Sequence, residues 1–276
     1  MEHGQGEFKG ARGFRIFYQW WRPEEPKAVL LVVHGYAEHS GRYKNLVNYF
    51  VPRGYAVYAL DHRGHGRSQG RRGYVERFRY YLDDLKAFYN LVREREPGRK
   101  IFMVGHSMGG LIALAYALQH QEEMDGLILS GAGVRVGGGV SPLTVALGRL
   151  LSAIAPRAGM VKIEAEAISR DPAVVKAYVN DPLVYTGKVS ARLGAEMLAI
   201  AQEVERRAGE LRLPCLIMHG GADRLADPDG SRALYERISS EDKALKIYEG
   251  FYHEIFNEPE RERVFRDMEA WLEARA

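Results

Sequence analysis

Apolar residues along the chain follow two alternating patterns, short continuous runs and stretches of helical period. Continuous apolar runs rich in β-branched residues are typical of strands buried on both faces of a parallel sheet. Such strand candidates lie at 28–33, 56–60, 101–104, 127–129, 215–218 and 245–248. Apolar positions recur every three to four residues in 42–52, in 75–95 and after Ser107, which predicts helices there. The alternation predicts a doubly wound, mostly parallel α/β sheet with helices on both faces and a site at the carboxyl ends of its strands.

The amino-terminal residues have a different pattern. Residues 7–10 and 13–21 alternate loosely between polar and apolar positions and flank the tripeptide Ala-Arg-Gly. This pattern predicts an antiparallel hairpin at one edge of the sheet.

A long insertion interrupts the α/β alternation from about residue 134 to about residue 208, where we find no strand candidate. Gly137–Gly139 predict a flexible joint, and Ser141 followed by Pro142 predicts the start of a helix. Residues 142–155 are then apolar on nearly every side of that helix. We therefore expect an α/β core made of residues 1–134 and 209–276, and a helical cap, or lid, made of residues 135–208.

Composition narrows the class of protein. The chain has 276 residues, 46% of them apolar and 27% charged, with a net charge of +3 and both signs interleaved. These values indicate a globular domain and no nucleic-acid-binding patch. The one cysteine, Cys215, is expected to be buried and inert. The polar first residues predict no signal peptide, and no apolar run approaches the length of a membrane span, so we expect a cytoplasmic protein.

Gly105-His106-Ser107-Met108-Gly109 lies directly between a predicted strand and a predicted helix. G-x-S-x-G in that context is typical of a nucleophile elbow, a sharp turn that exposes a serine at the end of a sheet. A Cβ at Gly105 or Gly109 would collide with the neighbouring strand or helix. The pattern alone also fits an ordinary glycine-rich turn with a bystander serine, so the other catalytic groups must be sought.

A serine nucleophile needs a base, and the base needs an acid that orients it. In this arrangement the chain order is serine, acid, histidine. Asp223 follows the penultimate strand and His253 follows the last one. Asp227 and Asp229 are rivals for the acid, but Asp223 is nearest to its strand end and is preferred. Ser107, Asp223 and His253 are thus the predicted catalytic residues.

The oxyanion of an acyl-transfer intermediate needs two N–H donors. The backbone N–H of Met108 and that of Tyr36, in the loop after the strand at 28–33, are the candidates. The other histidines near strand ends are expected to bond loop backbone: His34, His39, His62, His65, His106 and His219. A metal site is the alternative, but no H-E-x-x-H or H-x-x-x-H pattern occurs, so we expect no metal. Residues 61–66 are expected to form a hydrogen-bonded turn beneath the site, and the arginines around them (Arg63, Arg67, Arg71, Arg72, Arg77 and Arg79) a solvated surface.

With these residues in place, the chain resembles the monoacylglycerol lipase family of α/β-hydrolases, also described as serine-aminopeptidase-like or lysophospholipase-like. The shared blocks are HGYAEHSGRY, DHRGHGRSQG, GHSMGG, SRDP, NDPLVY, HGGADRL and YEGFYHE. The resemblance implies the α/β-hydrolase fold, the same three catalytic residues and the same oxyanion donors. It also implies contacts to a glycerol head from Glu38, Arg42, His106 and Tyr178. Relatives often have a smaller residue at Tyr36, whose ring is expected to narrow the pocket.

The function that the residues and the resemblance predict is hydrolysis of monoacylglycerols to fatty acid and glycerol through an acyl-enzyme, with no cofactor. The alternatives are a broad-specificity carboxylesterase, a lysophospholipase in which Arg42 reaches a phosphate, and a non-catalytic protein that holds an apolar ligand. The expected partner is a small lipid ester, with no nucleic acid or protein partner. Transient contact with a lipid surface through the cap is a further expectation.

Overall fold

The computed structural model describes residues 1–135 and 142–276. Its strands are β1 (Glu2–Lys9), β2 (Arg15–Arg22), β3 (Ala28–Val33), β4 (Tyr55–Leu60), β5 (Lys100–His106), β6 (Gly126–Ser130), β7 (Gly159–Lys162), β8 (Lys188–Ser190), β9 (Cys215–Gly220) and β10 (Lys243–Tyr248). Its helices are α1 (Lys44–Phe50), α2 (Arg79–Arg95), α3 (Met108–His120), α4 (Pro142–Ile154), α5 (Pro172–Asn180), α6 (Ala191–Arg207), α7 (Pro228–Arg237) and α8 (Arg261–Glu273).

The main sheet has the strand order β1-β2-β4-β3-β5-β6-β9-β10. β1 pairs antiparallel with β2, and β2 antiparallel with β4, while the other neighbours are parallel. The predicted hairpin is therefore confirmed, although β1 begins earlier than expected, at Glu2. In register, His106 pairs with Ser130 and Ser130 with Met218, so neighbouring strands end at one edge of the sheet. This edge carries the candidate site.

Both faces of the sheet are buried along its inner strands β3, β4, β5, β6 and β9, which explains why these strands form continuous apolar runs. In β3, Val29, Leu31 and Val33 belong to the core on one face, and Ala28, Leu30 and Val32 to the core on the other. Helices α2, α3, α6 and α7 contribute to the first core, and α1 and α8 to the second. The predicted α/β-hydrolase architecture is confirmed.

The segment between β6 and β9 contains strands, which the sequence analysis did not predict. β7 and β8 form a separate antiparallel pair. Their residues are few and β7 is exposed, so neither strand produces an apolar run that could be read from the sequence. The predicted joint at Gly137–Gly139 and the predicted cap residue Ser141 lie outside the described residues.

Helix α4 packs against α6 and leaves an apolar face in solvent. Leu147, Leu150 and Ile154 on that face are 57%, 58% and 72% exposed. Their spacing places them on adjacent turns of one side of the helix. Among the helices that the structure describes, none has both the length and the apolar character needed to cross a bilayer.

Candidate active site

Ser107 occupies a strained turn between β5 and α3. Its backbone has φ 52° and ψ −120°, a conformation that costs a non-glycine residue about 1–3 kcal/mol. A Cβ on Gly105 would lie 2.8 Å from the carbonyl oxygen of Gly109, and one on Gly109 would lie 2.0 Å from that of Val33. The predicted need for glycine at both positions is confirmed, because helix α3 crosses β5 and β3 at backbone contact distance.

Asp223 and His253 meet at the ends of β9 and β10. The Nδ1–H of His253 donates to Asp223 Oδ2 over 2.6 Å, and both residues are buried. The rival carboxylates have other partners. Asp227 caps helix α7 by accepting from the backbone N–H of Asp229, and the exposed Asp229 side chain lies 3.5 Å from Arg232. Of the three acids, Asp223 is the one that bonds His253.

The pKa shifts of this pair describe a charged acid that makes its histidine a stronger base. Burial raises the pKa of Asp223, but the charge of His253 and hydrogen bonds from His219 and His253 outweigh it, so that pKa lies well below its ordinary value. Burial lowers the pKa of His253, but the charge and hydrogen bond of Asp223 outweigh it and raise that pKa. The negative charges of Glu254 and Glu38 act in the same direction.

The loop after β6 links the serine to the histidine. Ser107 donates its backbone N–H to Ser130 O over 3.0 Å, and Gly133 donates to Ser107 O over 3.0 Å. A Cβ on Gly131, between them, would lie 3.3 Å from His253 Nδ1. The sheet ends and this loop therefore bring Ser107 and His253 into one site.

The predicted oxyanion donors lie on either side of the same serine. Met108 is the first residue of α3, where backbone N–H groups have no partner within the helix. Tyr36 is in the loop after β3, and a Cβ on the preceding Gly35 would lie 3.2 Å from Ser107 Cβ. Ala37 has φ 70° and accepts from the backbone N–H of Tyr185 over 2.8 Å, which ties this loop to the insertion. The Tyr36 ring lies edge-on to His65 and Tyr185.

Glu38, Arg42, His106 and Tyr178 are brought together beside the catalytic residues. Arg42 bonds both oxygens of Glu254, over 2.5 and 2.8 Å, and lies 3.2 Å from Glu38. Its guanidinium also lies over the ring of Tyr178, 4.7 Å from the centroid. Glu38, Arg42, His106 and Glu254 line part of a cavity of about 10 Å³, the volume that about one water occupies.

The insertion is fastened over this cluster by polar contacts. His39 donates from Nε2 to Asp181 over 2.9 Å, and the backbone N–H of Glu254 donates to Ile168 O over 2.7 Å. Arg170 forms an ion pair with the buried Glu258. The SRDP and NDPLVY blocks thus hold the insertion against the sheet edge near Tyr178.

The remaining strand-end histidines mostly confirm the structural expectation. His34 accepts from the backbone N–H of His62, while His65 and His106 bond backbone carbonyls of Arg63 and Ser130. Burial, followed by the neighbouring His253, lowers the pKa of His106 to about 3, so His106 is neutral. Residues 61–66 form the predicted turn, in which Asp61 accepts from the backbone N–H groups of Ser40 and Arg67.

Two expectations about charged and polar residues were wrong. Arg63 is not solvated, because it forms a buried ion pair with Asp84 over 2.6 and 2.7 Å. His219 and His39 do not bond backbone alone, because Nε2 of His219 also lies 3.0 Å from Asp223 Oδ2 and Nε2 of His39 bonds Asp181. Glu254, the main partner of Arg42, was missed altogether. Its one sequence signal is a carboxylate directly after the catalytic histidine in the strand-end loop.

A strained serine elbow and an aspartate–histidine pair at the next strand ends define the α/β-hydrolase class. A sequence model of the family described as "Serine aminopeptidase, S33" matches residues 24–260. The chain belongs to this family.

Relatives and solved structures within this class cover nearly the whole chain. A monoacylglycerol lipase of Mycolicibacterium smegmatis is 41% identical over 96% of this chain and 95% of its own. The crystal structure of a Paleococcus ferrophilus monoacylglycerol lipase is 31% identical, with a TM-score of 0.83 and complete coverage of both chains. A soluble variant of monoglyceride lipase from Saccharomyces cerevisiae, in complex with a substrate analog, is 27% identical with a TM-score of 0.89, over 100% of this chain and 96% of its own.

Proposed function

We propose that this protein is a serine ester hydrolase that cleaves monoacylglycerols to fatty acid and glycerol. The observation that carries the proposal is the strained Ser107 elbow beside the Asp223–His253 hydrogen bond, in a chain 41% identical to a protein named monoacylglycerol lipase. We assign Ser107 as nucleophile, His253 as general base and Asp223 as the acid that orients it.

The reaction follows from these roles. His253 takes the Ser107 hydroxyl proton through Nε2 while Oγ attacks the ester carbonyl carbon. The backbone N–H groups of Tyr36 and Met108 stabilise the oxyanion, each contributing about 2.7–4 kcal/mol in enzymes of this kind. The intermediate collapses, the C–O bond to glycerol breaks, and His253 gives its proton to the leaving oxygen. Water, deprotonated by His253, then cleaves the acyl-enzyme and releases the fatty acid.

We assign the glycerol head to the cluster of Glu38, Arg42, His106 and Tyr178. The charge of Arg42 is already balanced by Glu254 and Glu38. A neutral head with hydroxyl groups fits this cluster better than a phosphate, which favours monoacylglycerols over lysophospholipids.

The insertion, residues 135–208, is proposed to act as a lid. The exposed apolar face of α4 supports transient contact with a lipid surface or the acyl chain, since an apolar helix face gains from burial. A cytoplasmic protein that makes peripheral contact with lipid through this face is the arrangement we propose.

A substrate panel combined with active-site labelling tests the proposed function. The wild-type protein is expected to react stoichiometrically with a fluorophosphonate at Ser107 and to prefer monoacylglycerols over diacylglycerols, triacylglycerols and lysophospholipids. Ser107→Ala should abolish labelling and hydrolysis. Labelling at another residue, or an alanine variant of near-full activity, contradicts the proposal.

A further inference from the structure

A buried chain of hydrogen bonds continues behind the Asp223–His253 pair. His219, near the end of β9, lies with Nε2 3.0 Å from Asp223 Oδ2 and with Nδ1 2.7 Å from the hydroxyl of Ser231 on α7. His219 and Ser231 are both 0% exposed. Neither residue is explained by packing alone, because buried polar groups at these distances are held by their hydrogen bonds.

The neighbours of His219 fix which nitrogen carries its hydrogen. Nε2 faces the Asp223 carboxylate and, at 3.3 Å, the carbonyl oxygen of Ala226. Both of these groups accept hydrogen bonds and neither donates. Nε2 therefore carries the hydrogen, and in the neutral ring Nδ1 accepts from the Ser231 hydroxyl. The hydrogen bonds run in one direction, from Ser231 through His219 to Asp223.

The Asp223 carboxylate is held by donors on all sides. Its Oδ1 accepts from the backbone N–H groups of Leu225 and Ala226, over 2.8 and 3.0 Å. Its Oδ2 accepts from His219 and from His253, so two imidazoles share one oxygen. These four donors hold the carboxylate in one orientation. The three donors other than His253 therefore set the direction from which His253 can bond Oδ2.

We propose that His219 is a positioning residue of the catalytic apparatus, which fixes Asp223 Oδ2 and moderates the negative charge that this oxygen presents to His253. The inference rests on the proposed function, because it acts through the base of that reaction. Without the His219 donor, Oδ2 would present more charge to His253, and the carboxylate would lose one of the four donors that fix its orientation.

The titratable groups around the pair give the pH prediction its sign. His253 faces Asp223, Glu254 and Glu38, and its ring lies 4.7 Å from that of His106. Loss of the His219 donor from Asp223 leaves these groups unchanged and makes Oδ2 a stronger partner for the protonated ring of His253. The pKa of His253 should therefore rise, and the acid limb of the kcat/KM profile should move to higher pH.

The test compares His219→Met, which has no donor, with His219→Gln, whose side-chain amide can donate to the same oxygen. Active sites are titrated with a fluorophosphonate, so that kcat refers to folded, labelled enzyme, and a butyrate ester is the substrate. We expect His219→Met to lower kcat about 10–100-fold, the loss seen when a hydrogen-bond partner of a metal-binding side chain is removed. KM should change little and the acid limb should shift upward. His219→Gln should restore kcat and the position of the acid limb toward their wild-type values.

Ser231→Ala provides a second route to the same answer if the methionine variant does not fold. It removes the hydroxyl that donates to His219 Nδ1, so a smaller loss of kcat with the same direction of pH shift is expected. The inference is overturned if His219→Met keeps the wild-type kcat per titrated site and its acid limb does not move, even if its melting temperature falls. If His219→Met is unfolded, the same result in Ser231→Ala overturns the inference. An inactive wild-type protein, or an active Ser107→Ala variant, instead overturns the proposed function.

Discussion

Replacing Gly109 by alanine tests whether the active site depends on the close approach of α3 to β3. The added Cβ would lie 2.0 Å from the carbonyl oxygen of Val33 and 2.4 Å from that of His34. Both oxygens belong to backbone at the start of the loop that carries Tyr36. Neither can swing aside as the end of a flexible side chain could.

The structure sets the size of the expected effect. Helix α3 and the β3 loop would have to separate by about 1 Å to reach even the shortest tolerable contact. A misplacement of about 1 Å costs on the order of 100-fold in rate when it separates reacting groups. Here it would part the Tyr36 N–H from the Met108 N–H. Overpacking of this kind destabilises a fold by about 1–3 kcal/mol.

Gly194→Ala is the matched control, because Gly194 also lies within a helix. An added Cβ there has its nearest neighbour, Val189 Cγ1, at 3.9 Å, an ordinary contact. Alanine should stabilise helix α6 by up to about 1 kcal/mol and leave hydrolysis unchanged. The gain in helix propensity is common to both sites, so the difference between the variants measures the backbone collision.

The assay combines thermal unfolding with kcat on a short ester, normalised to sites labelled by a fluorophosphonate. We expect Gly109→Ala to melt several degrees lower and to lose about 100-fold in kcat with KM little changed. A folded Gly109→Ala variant with wild-type kcat and labelling rate would refute the argument that this contact sets the oxyanion geometry.

The remaining predictions concern the acid, the base and the lid. Asp223→Asn should lower kcat by about 10⁴-fold because His253 loses its orientation. Asp227→Asn should change kcat and stability little, because the asparagine oxygen can still cap α7. The reverse ranking in kcat would show that the wrong acid was assigned. Activity needs neutral His253, and the pKa of His253 is raised. The value of kcat/KM should therefore fall as pH drops through a midpoint above about 6.5. A pH profile that stays flat down to pH 4 would contradict a histidine base. Replacing Leu147 and Leu151 by glutamine should lower kcat/KM for long-chain monoacylglycerols more than about tenfold, because burial of two methylenes contributes about 1.6 kcal/mol. The same replacement should leave kcat/KM for a butyrate ester unchanged. Equal losses on both substrates in a variant of unchanged melting temperature would make α4 a purely structural helix.

The strands of the main sheet could be predicted because burial on both faces leaves a strong local pattern. β3 is apolar at every position, and its alternate residues serve two cores. β7 and β8 could not be predicted, because each is short and stabilised by its partner rather than by burial. The hydrophobic pattern of a segment depends on its burial, so the secondary structure of the exposed parts of the insertion could not be predicted from the sequence.

Site residues could be predicted when their role follows from their place at a strand end. Ser107, Asp223 and His253 are of this kind, and the structure brings the last two into contact. Arg63 and His219 were misjudged because contact with their partners, Asp84 on α2 and Asp223 after β9, depends on how the chain folds back. An ion pair or a shared carboxylate between such segments has no period and no motif.

The partner of Arg42 likewise could not be predicted from the sequence, and knowing it changes which head group one expects Arg42 to bind. Read from sequence, Arg42 offers a positive charge that could bind a phosphate head. In the structure its guanidinium is held by Glu254 through two hydrogen bonds and lies beside Glu38. Burial raises the pKa of Glu254, but the charge of Arg42 outweighs it and keeps Glu254 ionised, so the positive charge is neutralised within the protein. A phosphate would meet carboxylates on either side of that cation, whereas glycerol hydroxyls can donate to them. Selection of a neutral head group would then follow from Glu254, a residue outside the serine, acid and histidine that define the reaction.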